Sequence, residues 1–326
     1  MSRTPWFLRF LSPKKRKQSI SSSTTTSASD QQRSSTSLPY GTSPSSNYII
    51  MDGGRRYNNR DDIPALFPED DEENDRRHRQ HWTLKLAFEG NFDAPVEESL
   101  VEGIKVLDCA CGPASWTMEM AKDYPRSEFE GLDVTTSFPN AIKPENCHFT
   151  VHNMIDPFPF PANHFEYIHQ RLLVLGLLAS EWDSFIQRLV IILKPGGWFE
   201  STEVAFGELE NAGPMGEVVN EAANALTSSR GLNVDIAKEL GDRFEKAGLV
   251  NIKTRAISVP VNQGDKLGQL AWENFRDIFM ALKPFVRQTH PQLDEEFLAA
   301  FGEECKQNKY KETLWWVKHF WSSLAS

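Results

Sequence analysis

Val106-Leu107-Asp108-Cys109-Ala110-Cys111-Gly112-Pro113-Ala114 is the stretch on which the fold of this chain turns. A short apolar run over residues 104–110 passes through small residues into a helical pattern over residues 115–123. A buried strand that enters a helix through small residues lets the backbone approach a ligand closely. The helix start then offers it unpaired N–H groups. Asp108 lies at the turn, where a carboxylate suits a cationic aminoacyl group and repels a pyrophosphate. No Gly-x-Gly-x-x-Gly follows, which disfavours a dinucleotide. Taken alone, an ordinary strand-to-helix turn would account for the stretch equally well.

Working outward, a second strand over residues 128–134 ends in Asp133, 25 positions after Asp108, a spacing that fits one strand–helix–strand unit. A carboxylate at the tip of the neighbouring strand can accept both hydroxyls of a ribose; a helix cap or a solvated acid is the plainer reading. A third strand over 148–152 leads to Asn153-Met154, an amide that can read an adenine edge and a flexible apolar side chain that can pack on its face. A fourth strand over 165–169 and a helix over 182–193 follow. Lys194-Pro195-Gly196-Gly197 is a sharp turn into a strand over 198–206. Helical patterns near 215–228, 234–247, 268–282 and 294–307 enclose a strand over 251–261, and residues 313–320 can close the sheet. Strands alternating with helices predict an α/β fold with a mostly parallel sheet covered on both faces.

The flanks are different in kind. Residues 1–50 carry seven basic residues and one acid, whereas the rest carries 28 basic and 44 acidic residues, so a net charge of −10 conceals a basic tail on an acidic body. Such a body argues against an extended nucleic-acid groove, which needs a dense positive surface. Residues 19–46 are mostly Ser, Thr, Gln and Gly, with too little to bury to offset ordering, and read as disordered. Pro13-Lys14-Lys15-Arg16-Lys17 is a run of the nuclear-import type, which places the chain in the nucleus or cytoplasm. The acid-poor first 26 residues fit a mitochondrial presequence less well, because four basic residues stand together. The tail can also serve protein partners. No run is long enough for a membrane helix, and the four cysteines lack metal spacing, so they read as buried free thiols and no metal is expected. In what reads as the first strand, Cys109 and Cys111 alternate with Ala110, which places both thiols on one face. After a polar, turn-rich segment over residues 48–68, acids at 69–73 and 75 open a helix over 74–89, with Leu84, Ala87 and Phe88 on one side and Gly90-Asn91 at its end. These shifts divide the chain into a tail (1–50), an extension whose helix packs on the main domain (51–100) and that domain (101–326).

The three strand ends, together with Phe165-Glu166-Tyr167-Ile168-His169 and Leu193-Lys194-Pro195-Gly196-Gly197-Trp198, resemble class I S-adenosylmethionine-dependent methyltransferases. Ile168-His169-x-Arg171, the short link between Asp133 and Cys147, and Asp75-Arg76-x-x-x-Gln80-His81 make the fungal LaeA-like group the nearest in flavour. The resemblance implies a Rossmann-like class I methyltransferase fold, seven strands in the order 3-2-1-4-5-7-6 with the last antiparallel. It implies S-adenosyl-L-methionine as cofactor and a small-molecule or protein acceptor that the sequence does not identify. Asp108, Ala110 and Gly112 would line the methionine and ribose side. Asp133 would hold the ribose, with Val134 beside the adenine. Asn153 and Met154 would frame the adenine, and His169 would face the pocket. His169 and Arg171 are pocket candidates and His152 a poorer one; no general base is assigned.

The sequence departs from the family where Ala110 and Ala114 occupy places usually held by glycine. A β-carbon restricts positive φ, so a working site is expected to hold both alanines at negative φ. Two rivals are a non-catalytic regulatory or scaffold protein on the same fold and a nucleotide-dependent oxidoreductase, the latter disfavoured by the missing glycine pattern.

Overall fold

The computed structural model describes residues 48–60, 62–64, 66–307 and 314–325. The expected disordered tail and its basic run lie outside the described residues. The segment first read as turn-rich contains a small hairpin, β1 (Tyr48–Ile50) and β2 (Arg56–Asn58), which reverses through Gly53 and Gly54 at φ 71° and 81°. Three-residue strands are too short to leave a readable alternation. Tyr57 nonetheless anchors the hairpin, since its hydroxyl donates to the Ala281 carbonyl at 2.6 Å.

Helix α1 (Asp71–Phe88) begins three residues earlier than its apolar pattern indicates. Asp70 caps it by accepting from the Glu73 amide at 3.0 Å, and acids at 71–73 favour its positive end. At the other end Glu89 takes a left-handed conformation and Gly90 donates to Lys85. A short α2 (Glu97–Glu102), absent from the sequence reading, precedes the main domain.

There the expected alternation holds: β3 (Lys105–Cys109), α3 (Ser115–Asp123), β4 (Glu128–Asp133), β5 (Cys147–Val151), β6 (Phe165–Arg171), α4 (Trp182–Ile192) and β7 (Leu193–Glu210). It continues with α5 (Pro214–Ser229), α6 (Ile236–Lys246), β8 (Leu249–Pro260), α7 (Lys266–Val286), α8 (Glu295–Gln307) and β9 (Leu314–Leu324). The seven strands lie in the order β5-β4-β3-β6-β7-β9-β8. β9 runs antiparallel to both neighbours while the other pairings are parallel. Counted from β3, this is the order 3-2-1-4-5-7-6.

Both faces are covered. Trp116 and Met120 of α3 pack with Phe129 and Tyr167 on one side. Ile168, Phe185, Phe199 and Phe244 belong to the larger core on the other. Adjacent residues Tyr167 and Ile168 thus point to opposite faces, as the period of a strand requires. Each fully buried aromatic of this kind contributes roughly 1.5–3 kcal/mol of apolar burial. The extension packs on this framework, with Arg76 of α1 donating to Asn274 of α7 at 2.9 Å.

One local expectation fails. β3 stops at Cys109, and Ala110 has φ 57°, so Cys109 and Cys111 do not share one face of a continuing strand. Cys109 is buried and Cys111 half-buried; both are free thiols, and burial pushes both thiol pKa values up.

Candidate functional site

A cavity opens at the carboxyl ends of β3, β4, β5 and β6, under α1 and the chain that leads into it. Asp108, Ala110, Gly112, Asp133, Val134, Asn153, Met154 and His169 all line it, as does Arg171. In an open parallel sheet the crevice beyond the strand ends, where the order reverses, is where ligands bind. Here the reversal falls between β3 and β6.

The turn after β3 is built by three left-handed residues, Ala110 (φ 57°), Gly112 (φ 56°) and Ala114 (φ 60°). The expectation of negative φ at both alanines is therefore wrong. The physical reason is the hydrogen bonding that the turn gains from β4. Cys111 donates to the Leu132 carbonyl at 2.9 Å and Gly112 to the Asp133 carboxylate at 2.8 Å, while Ala114 donates to Cys111 at 2.9 Å. These bonds hold a backbone that alanine alone disfavours by about 1–2 kcal/mol per residue. The two methyl groups also differ in place. Ala110 lines the cavity, but Ala114 is fully buried and does not. Ala114 gives α3 no side-chain cap, so the positive end of that helix faces the turn.

The carboxylates are largely engaged. Asp108 accepts from the Thr117 hydroxyl and pairs with His169 Nδ1 at 2.8 Å, across the β3–β6 register that sets the two side by side. His169 stacks on Trp116 with centroids 3.8 Å apart and planes 3° off parallel. Burial lowers the His169 pKa against the raising effect of Asp108. Asp133 holds Gly112 with one oxygen and the Thr135 amide and hydroxyl, both at 2.9 Å, with the other. Asn153 donates to Asp62 of the extension at 3.2 Å, and Met154 is buried beside it. His152 does not line the cavity; its Nε2 is buried without a partner beside Phe158.

Three guanidinium groups face the cavity from the residues Arg76, Arg77 and Arg171. Glu73, buried on α1, pairs with Arg76 and Arg77 at 2.6 and 2.8 Å. Arg77 reaches the turn after β3: a β-carbon on Gly112 would meet its Nη1 at 3.4 Å. The far wall is apolar, formed by residues 172–177 after β6 with Val204, Phe206 and Ile278.

Sequence reasoning missed Glu203, which lies behind that wall. Fully buried on β7, it accepts from Gln170 Nε2 at 2.7 Å and from the amides of Leu173 and Val174 at 2.6 and 3.1 Å. Burial pushes its pKa up to about 7, against the lowering effect of these donors. The available signal was a pair of acids, Glu200 and Glu203, in a predicted strand flanked by apolar residues, which burial tolerates only when each is hydrogen-bonded. Trp116 and Thr117 were also missed, since nothing in a helix pattern marks which side chains reach back to the strand.

Among the described residues, no group of three or more His, Cys, Asp or Glu side chains could hold a metal ion, and no helix is long and apolar enough to cross a membrane. The residues suit S-adenosylmethionine instead. They offer a glycine-containing turn, an uncapped helix start, a carboxylate at the second strand tip and an apolar flank beside the third. Residues 106–197 match the family described as a methyltransferase domain. Over 230 residues the chain is 27% identical to N-methyltransferase sirN of Leptosphaeria maculans, covering 67% of this chain and 79% of that one. Over 264 residues it is 23% identical to methyltransferase grgD of a Penicillium species, covering 76% and 90%. Over 164 residues it is 31% identical to the secondary metabolism regulator LAE1 of Cochliobolus heterostrophus, covering 49% and 52%. The chain is an S-adenosylmethionine-dependent methyltransferase of the class I, Rossmann-like kind that resembles the LaeA-like group, and its methyl acceptor is unidentified.

Proposed function

We propose that the cofactor lies along the ends of β3, β4 and β5, and that a small, largely apolar acceptor enters against the wall formed by residues 172–177. In this reading Asp108, Ala110 and Gly112 border the methionine and ribose. Asp133 accepts from the ribose hydroxyls with the lone pairs that Gly112 and Thr135 leave, and Val134, Asn153 and Met154 surround the adenine. His169, fixed between Asp108 and Trp116, forms the floor beside the reacting end. The observation that carries this reading is that all eight residues named from the sequence line one cavity at the strand-order reversal.

The sulfonium supplies an electrophilic methyl group. The chain's own contribution is orientation, since an in-line displacement gains most from holding its partners in place. The apolar wall keeps water from the acceptor face. Relatives named as N-methyltransferases make a nitrogen the first acceptor atom to test. The extension over 51–100 belongs with the domain over 101–326 as the unit to test, and the tail with its basic run supplies nuclear entry and protein contacts.

Calorimetry with Asp133→Ala tests the cofactor placement. The variant should bind S-adenosylmethionine at least ten-fold more weakly, as loss of hydrogen bonds to a charged group (about 1.5–3 kcal/mol) requires. Unchanged affinity in a folded variant would reduce Asp133 to a loop clamp.

A further inference from the structure

Arg171 closes the sequence signature Ile168-His169-x-Arg171, and its guanidinium differs from the other two that face the cavity. Arg76 and Arg77 share the Glu73 carboxylate. Among the described residues Arg171 has no carboxylate within salt-bridge distance, and its one hydrogen bond runs from Nη2 to His81 Nδ1 at 3.2 Å. A guanidinium has five N–H donors, so most of its capacity is unused. The side chain is half-buried and lines the cavity, and burial holds its pKa below the usual arginine value.

The hydrogen bond to His81 is itself prepared. His81 Nε2 lies 2.8 Å from Glu119 Oε2, and Glu119 also accepts from Lys85 and from Asn91. A carboxylate at Nε2 requires the proton there, which leaves Nδ1 as the acceptor that Arg171 needs. Burial lowers the His81 pKa to about 4, so the imidazole stays neutral and acceptor-competent at neutral pH. The signature on α1, Gln80-His81, therefore meets the signature at the end of β6 through one oriented imidazole. Asp108, also at the cavity, is committed to His169 and Thr117, and Glu119 is committed to His81 and its neighbours. The result is an aimed cation near Asp108 of β3 that, among the described residues, feels Asp108 and Glu119 at a distance but makes an ion pair with neither.

We propose that Arg171 is a carboxylate receptor, held in position by Glu119 through His81. The proposal rests on the cofactor reading above. Its ligand is a carboxylate, borne either by the methionyl end of the cofactor, where Asp108 would face the ammonium, or by the methyl acceptor.

Calorimetry on the full chain with S-adenosylhomocysteine and its decarboxylated counterpart separates the sources. If the carboxylate is the cofactor's, the wild type binds S-adenosylhomocysteine at least ten-fold more tightly than the decarboxylated compound. Arg171→Gln then removes that preference without weakening the decarboxylated compound, and Arg171→Lys keeps part of it. His81→Asn, which can retain an acceptor near the Nδ1 position, should preserve more of the preference than His81→Gln, which retains contact only with Glu119. A purely structural role would weaken both compounds alike. If the wild type shows no preference, benzoate is titrated into the protein loaded with either compound, and binding that Arg171→Gln abolishes assigns the carboxylate to the acceptor. No preference and no Arg171-dependent benzoate binding would overturn the proposal. Failure of the wild type to bind S-adenosylhomocysteine at all would sink the cofactor reading instead. Benzoate titrated into the free wild type and Arg171→Gln would then decide the receptor separately.

Discussion

The turn after β3 and the turn after β6 solve one structural problem with two different carboxylates. Both carry an L-residue in the left-handed region, Ala110 and Ala114 in the first and Leu172 (φ 58°) in the second. Each is tied down by an acid from the adjacent strand: Asp133 of β4 accepts from Gly112, and Glu203 of β7 accepts from Leu173 and Val174. The acids differ in where they face. Asp133 lines the cavity and is available to a ligand, whereas Glu203 is sealed behind the apolar wall. A loop clamp at the mouth of the site can take part in binding; one in the core can only shape the wall. Sequence spacing shows the first and conceals the second.

The largest effect should come from the sealed clamp. Glu203→Ala leaves Gln170 and two backbone amides without their acceptor in a closed space, which should lower the unfolding free energy by roughly 3–5 kcal/mol. Chemical denaturation of the variant measures it. A loss below about 1 kcal/mol would mean that the turn after β6 is held by its apolar contacts alone.

Next is the pH dependence of that clamp. Its folded pKa, about 7, lies above the unfolded carboxyl value. Such a group contributes stability that is fully present below the unfolded value, near pH 4.3, and is lost as pH rises through 7. The loss should be on the order of 4 kcal/mol, from about 1.4 kcal/mol per pH unit. His81 runs the other way: its folded pKa is depressed to about 4, so its contribution is present above pH 6.5 and lost as pH falls through 4. The two slopes oppose each other between pH 4.3 and 6.5. The wild-type profile should therefore be flatter there than either group alone dictates, and Glu203→Gln should expose a rise in stability with pH. A variant profile that parallels the wild type would show that Glu203 does not titrate in this window.

Much of this was readable before the fold was seen, and for a definite reason. Asp108, Asp133 and Asn153 stand at the ends of successive strands, and strand ends in a parallel sheet converge on one edge. Spacing along the chain therefore became proximity. The helices of the C-terminal part followed from the apolar pattern, and the strand order from the family resemblance. What stayed hidden depends on contacts between distant segments. The φ of Ala110 and Ala114 is set by bonds donated to Leu132 and Asp133. The link from Glu119 through His81 to Arg171 joins α3, α1 and β6. The hairpin over β1 and β2 is too short for any period, and Glu203 is one of two acids, with Glu200, inside a strand pattern that does not say what either one meets.

Asp133→Ala should reach stability as well as binding. It frees the amides of Gly112 and Thr135 at the cavity mouth, where water can replace the lost acceptor. The cost to the fold should be roughly 1–2 kcal/mol, smaller than that of Glu203→Ala. Equal losses for the two variants would erase the distinction between an open and a sealed clamp.

The smallest effect should come from the alanines. Both sit near φ 60°, so glycine relieves a strain of about 1–2 kcal/mol at each, while the greater freedom of glycine in the unfolded chain returns about 0.4–1 kcal/mol. Ala114→Gly also removes a methyl group that is fully buried, and the lost packing should offset the remaining gain. Ala110→Gly, at a half-buried position facing the cavity, keeps more of it. Thermal unfolding should therefore rise by a degree or a few for Ala110→Gly and stay nearly level for Ala114→Gly. Cofactor affinity should respond in the same order, because only the Ala110 methyl group lines the cavity. A few-fold gain in binding for Ala110→Gly, with none for Ala114→Gly, fits this geometry. Equal gains for both would mean that the conformation of the whole turn, and not the space in front of Ala110, governs entry of the cofactor.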